Sequence, residues 1–455
     1  MIAIPRRIAG RQISPSSLSR RVLRASACVA ALSCIGVGLA EAKNFDVLYA
    51  FCAKSGCVDG KEPMAPLVSD SHGNLYGTTF GGGSAGSGTV FALVPSADGS
   101  KWTHKVLYNF CTAEACSDGE FPNPGALAID SQGNLYGTVP SGGRSGGGIA
   151  YKLTPGKRTD APWTLSVLHD FCGSDSCSDG SMPWAGLTYR GAAEGLPYDG
   201  TSPLYGTTFV GGSTGYGTAY SLTPKGKSWR EQVLYTFCTQ ASCTDGGEPD
   251  APLTVDSDGN VYGTTSEFGP NYAGTAFQLR KQNKHWKANV LYAFCAAANC
   301  SDGKQPSVGG LVIDASGALY GTTSRGGSQD GGTAFKLVRH GAHSDASVLH
   351  SFCVQQNCSD GALPDSALWL EPTGKLYGTL ASGGVHFGGY AGGAGGVYSL
   401  DGGSMHALHM FCSQTDCRDG ARPMAGLIPV KGGQLVGTAS AGGPHNAGVV
   451  FAVKP

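Results

Sequence analysis

The stretch VLYAFCAKSGCVDG (47–60) contains two cysteines, Cys52 and Cys57, and the pair Asp59-Gly60 follows them almost at once. The pattern C-x-x-x-x-C-x-D-G recurs in six further segments, and successive first cysteines lie 57 to 66 residues apart. The six segments are 106–119, 167–180, 233–246, 290–303, 348–361 and 407–420. Seven copies at a nearly constant period indicate one structural unit repeated seven times.

Each unit has the composition of four short β-strands. The first complete unit contains LVSD (67–70), NLYGTT (74–79), GTVFAL (88–93) and KVLYNF (105–110). These segments are rich in β-branched and aromatic residues, and Gly, Asn, Asp and Pro bound them. No segment shows a sustained helical period. Seven such units predict an all-β, seven-bladed β-propeller with four antiparallel strands per blade, because a β-helix would need shorter rungs and separate sandwiches longer units.

The two ends of the repeat array complement each other. The first motif strand, 47–51, has no unit before it, and the last unit ends on its third strand, 448–453. We therefore expect strand 47–51 to complete the last blade. This pairing would close the ring and remove two exposed sheet edges.

The cysteine pairs could be zinc sites, redox centres or disulfides. Structural zinc commonly uses C-x-x-C pairs in sets of four thiolates, and seven pairs cannot be divided into fours. A thioredoxin-type centre also needs C-x-x-C, in a single copy. An even number of cysteines in an exported chain favours one disulfide within each pair, with no metal and no cofactor. The predicted disulfides are Cys52–Cys57, Cys111–Cys116, Cys172–Cys177, Cys238–Cys243, Cys295–Cys300, Cys353–Cys358 and Cys412–Cys417.

The first 42 residues have the pattern of a signal peptide. An arginine-rich start precedes an apolar run at 25–40, and Ala40-Glu41-Ala42 fits a cleavage site. The predicted division is a signal peptide at 1–42 and a propeller at 43–455, which would place the mature protein outside the cell or in the periplasm. General secretory and twin-arginine export both stay open, because Arg20-Arg21 weakly matches the second type.

The overall charge argues against several partners. The formal net charge is −1, and no basic run was found in the sequence. Nucleic acid and anionic membrane surfaces are therefore poor candidates as partners. No transmembrane segment is expected, and a monomer is the expected state.

The pattern L-Y-G-T-T-x-x-G-G-x-x-x-x-G-T-V-F-x-L at 75–93, which returns at 204–222 and 319–337, resembles the GloVer tandem-repeat family of exported bacterial proteins. The resemblance extends over 47–455 and implies a propeller-like repeat protein outside the cell. It implies no activity. Many members carry a C-terminal anchor, whereas this chain ends at Pro455 without an apolar tail.

Two repeated features have both a functional and a structural interpretation. The aspartates of the seven D-G pairs could bind calcium, but they lack the density of a calcium loop and fit tight turns better. Three histidines replace the motif tyrosine and could bind a metal only by converging from different blades. We interpret them as packing residues. They are His169, His350 and His409.

A functional site should break the repeat, and the glycine-rich loops vary most. We expect these loops to lie beside the cysteine loops on one face, with the asparagine turns and tryptophans on the other. An insertion at 189–203 in the third unit also breaks the repeat. Aromatic and polar groups on such loops suit recognition of a carbohydrate or protein. The candidate binding residues are Arg144, Tyr216, Phe268, Tyr272, Arg325, His386, Phe387, Tyr390 and His445.

The sequence thus favours a non-catalytic recognition module for a glycan or protein in the cell envelope or outside. The alternative is a glycan-active hydrolase or lyase with its site at the mouth of the propeller channel. The sequence contains no G-x-S-x-G, H-E-x-x-H or phosphate-loop motif. Carboxylates that converge in the channel would favour the enzyme.

Overall fold

A computed structural model describes residues 44–122, 125–158, 161–174, 176–341, 343–386, 388–390 and 392–455. The predicted signal peptide lies outside the described residues, as does the candidate Phe387. Within the described ranges the regular structure is β-strand, and the helices are single 3₁₀ turns in the cysteine loops. None of these helices is long and apolar enough to cross a membrane.

The strands follow the predicted segments closely. They are β1 (Phe45–Ala50), β2 (Val68–Ser69), β3 (Leu75–Thr79), β4 (Thr89–Pro95), β5 (Trp102–Asn109), β6 (Ala128–Ile129), β7 (Leu135–Val139), β8 (Ile149–Thr154), β9 (Thr164–Asp170), β10 (Leu204–Thr208), β11 (Thr218–Lys225), β12 (Ser228–Thr236), β13 (Thr254–Val255), β14 (Val261–Thr265), β15 (Thr275–Gln282), β16 (His285–Ala293), β17 (Lys304–Pro306), β18 (Val312–Ile313), β19 (Leu319–Arg325), β20 (Thr333–His340), β21 (His343–Ser351), β22 (Trp369–Leu370), β23 (Leu376–Leu380), β24 (Gly396–Asp401), β25 (Ser404–Met410), β26 (Ile428–Pro429), β27 (Leu435–Ala439) and β28 (Val449–Val453).

These strands form seven small antiparallel sheets, which are the blades of a seven-bladed β-propeller. In chain order the blades are β2–β5, β6–β9, β10–β12, β13–β16, β17–β21, β22–β25 and β26–β28 completed by β1. The predicted fold class and the four-stranded repeat are confirmed.

Blade 5 gains a fifth strand, β17, whereas blade 3 has three strands rather than the predicted four. Its first strand is reduced to a single bridge between Thr188 and Tyr205. The insertion at 189–203 follows Thr188, and the N–H of Tyr198 donates a 2.9 Å hydrogen bond to the carbonyl of Ile129 in blade 2. The inserted chain therefore leaves its own blade and pairs with the neighbouring one.

The predicted closure of the ring is present. Strand β1 pairs with β28, so that Phe45 lies opposite Val453 and Ala50 opposite Val449. The N–H of Phe51 extends this pairing with a 3.0 Å hydrogen bond to the carbonyl of Gly448. Phe51 is fully buried, in a cluster with Phe91 of blade 1 and Val450 of blade 7.

The apolar cores lie between adjacent blades, and the glycine of L-Y-G-T is part of this packing. A Cβ on Gly77 would lie 2.8 Å from the ring of Phe91 and 2.7 Å from Leu67. The glycine is therefore required because the large side chain of the next strand covers it, and the same contact recurs at Gly263 against Phe277.

The short strand that pairs with the L-Y-G-T strand faces the centre of the ring in blades 4, 5 and 6. Val255 of β13, Ile313 of β18 and Leu370 of β22 line one cavity of about 310 Å³. Residues of three blades can meet in this way only at the central channel. Ala192 of the blade 3 insertion lines the same cavity, so the insertion narrows this end of the channel.

A threonine contact joins neighbouring blades around the channel. In five blades the hydroxyl of the L-Y-G-T threonine donates a hydrogen bond to a backbone carbonyl of the following blade. In the last blade the equivalent motif is L-V-G-T. The pairs are Thr138–Ala185, Thr207–Ala251, Thr322–Ser366, Thr379–Ala425 and Thr438–Ala65.

The two faces of the ring carry different loops. The N–H of Gly83, in a glycine loop, donates a 3.0 Å hydrogen bond to the carbonyl of Cys57. We call this side the cysteine-loop face. On the opposite side, the turn face, Trp163 packs on Tyr76, which follows an asparagine turn, with ring centroids 6.3 Å apart.

Candidate functional site

The repeated cysteine loops are structural. All seven cysteine pairs are disulfide-bonded in the predicted pairing. Asp59 is fully buried and accepts hydrogen bonds from the hydroxyl of Tyr49 (2.7 Å) and the N–H of Ala53 (3.0 Å) and Lys54 (3.2 Å). Burial alone would raise the pKa of Asp59, but these hydrogen bonds lower it below its ordinary value. The aspartate therefore holds the loop, as the turn interpretation expects.

The three motif histidines do not converge. His169 lies 2.9 Å from Asp179 and His409 lies 2.9 Å from Asp419, each within its own loop. The Nε2 of His350 is buried without a partner. These positions support a packing role. One group of three potential metal ligands occurs in the described residues, and two of its members are the disulfide-bonded Cys111 and Cys116.

The predicted loop residues lie on glycine loops around the ring rather than in one cluster. Tyr216 packs on Phe268 with ring centroids 4.8 Å apart, and Tyr272 nearby is 68% exposed. These three residues form one aromatic patch on blades 3 and 4.

The other described candidates stand apart from that patch. Arg144, Arg325, His386 and His445 are exposed on separate blades. The hydroxyl of Tyr390 donates a 2.7 Å hydrogen bond to Asn446, which ties the glycine loops of blades 6 and 7 together.

The channel mouth on the cysteine-loop face breaks the sevenfold pattern more strongly than the loops do. In the six blades where it is described, the residue after the repeated proline lies near the mouth, at the start of the channel-facing segment. These residues are Met64, Trp184, Asp250, Ser307, Asp365 and Met424. Its chemistry therefore changes from one side of the channel to the other.

One side of the mouth is aromatic. Phe80 of blade 1 stacks on Phe121 of blade 2 with centroids 5.3 Å apart, and Trp184 stacks on Phe209 within blade 3 at the same distance. All four rings are partly exposed. The Tyr216–Phe268 patch continues this side onto blade 4, which gives an aromatic arc over four blades.

The other side is acidic. Burial raises the pKa of Asp250 to about 7, and the negative charge of Asp365 adds to this shift, while hydrogen bonds from its own backbone and from Ser266 oppose it. Burial also raises the pKa of Asp365. Both side chains keep partial contact with solvent, as groups do that face a channel while protein surrounds them. Burial and the charge of Glu267 raise the pKa of Glu248 beside them.

Two polar atoms at this ring of residues lack partners. The Nε1 of Trp184 and the Oδ1 of Asp250 are buried and form no hydrogen bond with the described residues. The indole N–H of Trp184 is a donor, and the Oδ1 of Asp250 is an acceptor when the carboxyl is ionised. The two residues come from adjacent blades. Unsatisfied buried polar groups are rare in native proteins, so each one needs an explanation. A bound ligand that forms the missing hydrogen bonds is one such explanation.

The sequence interpretation missed Trp184, Asp250 and Asp365. The signal was present in the alignment of the seven units, because the residue after an invariant proline varies from methionine to aspartate. The glycine loops give a stronger sequence signal, because they vary in length as well as in sequence.

Comparison with known protein families shows which family this chain belongs to. The family model of the Gloeobacter/Verrucomicrobia repeat matches residues 38–202, 190–385 and 287–455. The chain belongs to this family. The matches overlap and together span the ring, which agrees with the resemblance seen in the repeated L-Y-G-T pattern. Among curated proteins, none is significantly similar to this Gloeobacter/Verrucomicrobia repeat protein in sequence.

Solved structures are similar only distantly. A putative 6-phosphogluconolactonase from Bacteroides uniformis is 13% identical with a TM-score of 0.45, over 83% of this chain and 90% of that one. The polysaccharide lyase Uly1 is 11% identical with a TM-score of 0.45, over 86% and 90%. Trypanosoma rangeli sialidase is 9% identical with a TM-score of 0.39, over 87% of this chain and 55% of its own. Similarities at this level carry no argument about activity or ligand.

Proposed function

We propose that this repeat protein is a recognition module for a glycan, which it binds across the channel mouth on the cysteine-loop face. The observation that carries the proposal is the pair of unpartnered atoms on Trp184 and Asp250, next to the stacked rings of Trp184 and Phe209. A sugar offers an apolar ring face and hydroxyl groups that both donate and accept. It therefore matches an aromatic surface that carries one free donor and one free acceptor.

We also propose where the protein acts. The protein is exported after removal of residues 1–42, and the mature chain acts as a monomer in the cell envelope or outside. Seven disulfides support this, because such bonds form and persist in oxidising compartments. The aromatic arc extends the contact outward to Tyr216, Phe268 and Tyr272.

A glycan array probed with residues 43–455 tests the proposal. Trp184→Phe removes the N–H and keeps a ring, and Asp250→Asn removes the charge and keeps the shape. Each should weaken binding at least about fivefold, the value of one buried hydrogen bond. Asp258→Asn, an exposed carboxylate of the same blade on the turn face, should leave the affinity unchanged. Binding that ignores both mouth variants, or no glycan bound at all, contradicts the proposal.

A second candidate function is glycan hydrolysis or elimination at the same place. Asp250 favours it, because a carboxyl with a pKa of about 7 beside a second carboxyl suits general acid–base catalysis. Incubation of bound glycans followed by product analysis separates the two functions. Turnover that Asp365→Asn abolishes while binding persists would establish catalysis, and intact glycans would leave recognition as the function.

A further inference from the structure

Blades 2, 3 and 4 share a packing contact that blades 5 and 6 lack. A tryptophan near the start of the fourth strand packs on the L-Y-G-T tyrosine of the preceding blade. Trp163 contacts Tyr76, and Trp286 contacts Tyr205 with centroids 6.4 Å apart. The indole thus covers the tyrosine ring and lines the groove between two blades on the turn face.

Blade 5 has Ser344 where this tryptophan should be. The sheet registers establish the equivalence, because Trp286 lies opposite Lys281 in blade 4 and Ser344 lies opposite Arg339 in blade 5. The tyrosine of blade 4 is retained as Tyr262 and is fully buried. A serine cannot cover this ring, so another side chain must do so between blades 4 and 5.

Arg339 takes the place of the missing indole. Its guanidinium lies 4.9 Å from the centroid of the Tyr262 ring, and its Nη1 donates a hydrogen bond to the Tyr262 hydroxyl. Its Nε donates a 3.0 Å hydrogen bond to the carbonyl of Gly317. These contacts hold the arginine in one orientation, as cation–π and charge-assisted hydrogen bonds do.

The groove between blades 4 and 5 is a cleft of about 390 Å³, and its wall includes Asn260, Gln278, Arg280 and Arg339. The wall contains no carboxylate, and neither arginine forms an ion pair with a described residue. The cleft therefore presents two guanidinium groups that are not paired with a carboxylate.

The nearest carboxylates are committed to their own turns. Asp314 accepts the N–H of Ser316 (2.8 Å) and of Ala318 (2.9 Å). Asp256 accepts the N–H of Asn260 and the hydroxyl of Tyr262, each at 2.8 Å. These bonds keep both carboxylates in the turns beside the cleft.

We propose that this cleft between blades 4 and 5, the anion cleft, binds an anionic group of a ligand, with Arg339 as the fixed contact and the exposed Arg280 as the second contact. The class of group is a carboxylate, sulfate or phosphate, which guanidinium groups bind through paired hydrogen bonds. The cleft lies on the turn face, away from the channel mouth. Its ligand is therefore independent of the proposed glycan site, and either site can fail alone.

Calorimetric titration of the mature protein at low salt tests the proposal with three anions, D-glucuronate, sulfate and inorganic phosphate, and with neutral D-glucose. At least one anion should bind at one site per chain, and glucose should not. The anion that binds best identifies the class of group. Absence of binding by all three anions overturns the proposal.

Three variants distinguish the anion cleft from general surface charge. Arg280→Gln, at an exposed position, should weaken anion binding about tenfold and leave the fold intact. Ser344→Trp introduces the indole that blades 2, 3 and 4 place on the tyrosine, so it should displace Arg339 from Tyr262 and abolish binding without any change of charge. Arg158→Gln lies in the corresponding groove between blades 1 and 2, which Trp163 lines, and should have no effect. Equal losses from Arg158→Gln and Arg280→Gln, or unchanged binding in a folded Ser344→Trp protein, would falsify the assignment.

Discussion

The hydroxyl of Thr438 donates a 3.2 Å hydrogen bond to the carbonyl of Ala65 across the junction of the last and first blades. The same contact joins Thr379 to Ala425 at 3.0 Å inside the array. The junction between the last and first blades thus contains the same hydrogen bond as a junction between consecutive blades. Strand β1 adds a further connection there, because it comes from the start of the repeat array and pairs with β28 at its end.

Deletion of residues 44–51 should destabilise the whole ring. It removes the fourth strand of blade 7, exposes the edge of β28 and takes out the fully buried Phe51. Loss of that one side chain alone costs about 3 kcal/mol or more. Thermal unfolding followed by circular dichroism should show a large fall in Tm, and an unchanged melting curve would contradict ring closure by β1.

Removal of one disulfide should have a moderate and local effect. Replacement of Cys295 and Cys300 by serine opens a loop of six residues, which the chain-entropy model values at about 2 kcal/mol. Urea unfolding measures the loss. Peptide mapping without reduction should recover the six other intra-loop links, and any link between blades would count against the pairing.

Asp59→Asn should cost about 1–3 kcal/mol of unfolding free energy, because an amide cannot accept all of the hydrogen bonds that the buried carboxylate accepts. The pKa of Asp59 is lowered in the folded state. The contribution of Asp59 to the free energy of unfolding is therefore complete above its unfolded pKa of about 3.8, and it is lost as the pH falls through its lower pKa in the folded state. Asp46→Asn, at an exposed position in β1, is the control and should change little at any pH.

His104 should make the protein less stable in mild acid. It stacks on Tyr49 with centroids 4.3 Å apart, and neither ring nitrogen has a partner. Burial lowers the pKa of His104 to about 4. Its contribution is therefore complete above the unfolded pKa of about 6.5 and decreases as the pH falls from there towards 4, by on the order of 2 kcal/mol.

His104→Phe keeps the stacking ring and cannot take up a proton. Urea unfolding as a function of pH should show a smaller acid loss for this variant than for the unchanged protein. Parallel curves for the two proteins would mean that His104 titrates normally.

The fold could be predicted from the sequence because each unit repeats the same strands, turns and glycines. Because the pattern occurs seven times, each local interpretation is supported by six further copies, and the incomplete last unit indicates the closure by β1. The site could not be predicted in this way, because it depends on which blades neighbour each other across the channel. Asp250 and Asp365 are 115 residues apart in the chain, and only the closed ring brings their charges together. The absence of a tryptophan at Ser344 likewise gains meaning only once Arg339 is seen over Tyr262.

Asp250→Asn should stabilise the protein while it weakens glycan binding. The pKa of Asp250 is raised from its ordinary value to about 7 by burial and by Asp365. The folded state therefore favours the protonated form, and stability falls as the pH rises from the unfolded pKa of about 3.8 to the folded pKa of about 7. The neutral asparagine avoids this cost. At pH 8 the variant should unfold at a higher temperature than the unchanged protein, at pH 5 the difference should be smaller, and below pH 4 it should largely disappear. Asp258→Asn should show neither change. A residue that costs stability at neutral pH and is nevertheless present at the channel mouth is typical of a functional site. If Asp250→Asn is no more stable at pH 8, the ionised carboxyl is already satisfied within the protein, and its Oδ1 does not require a ligand.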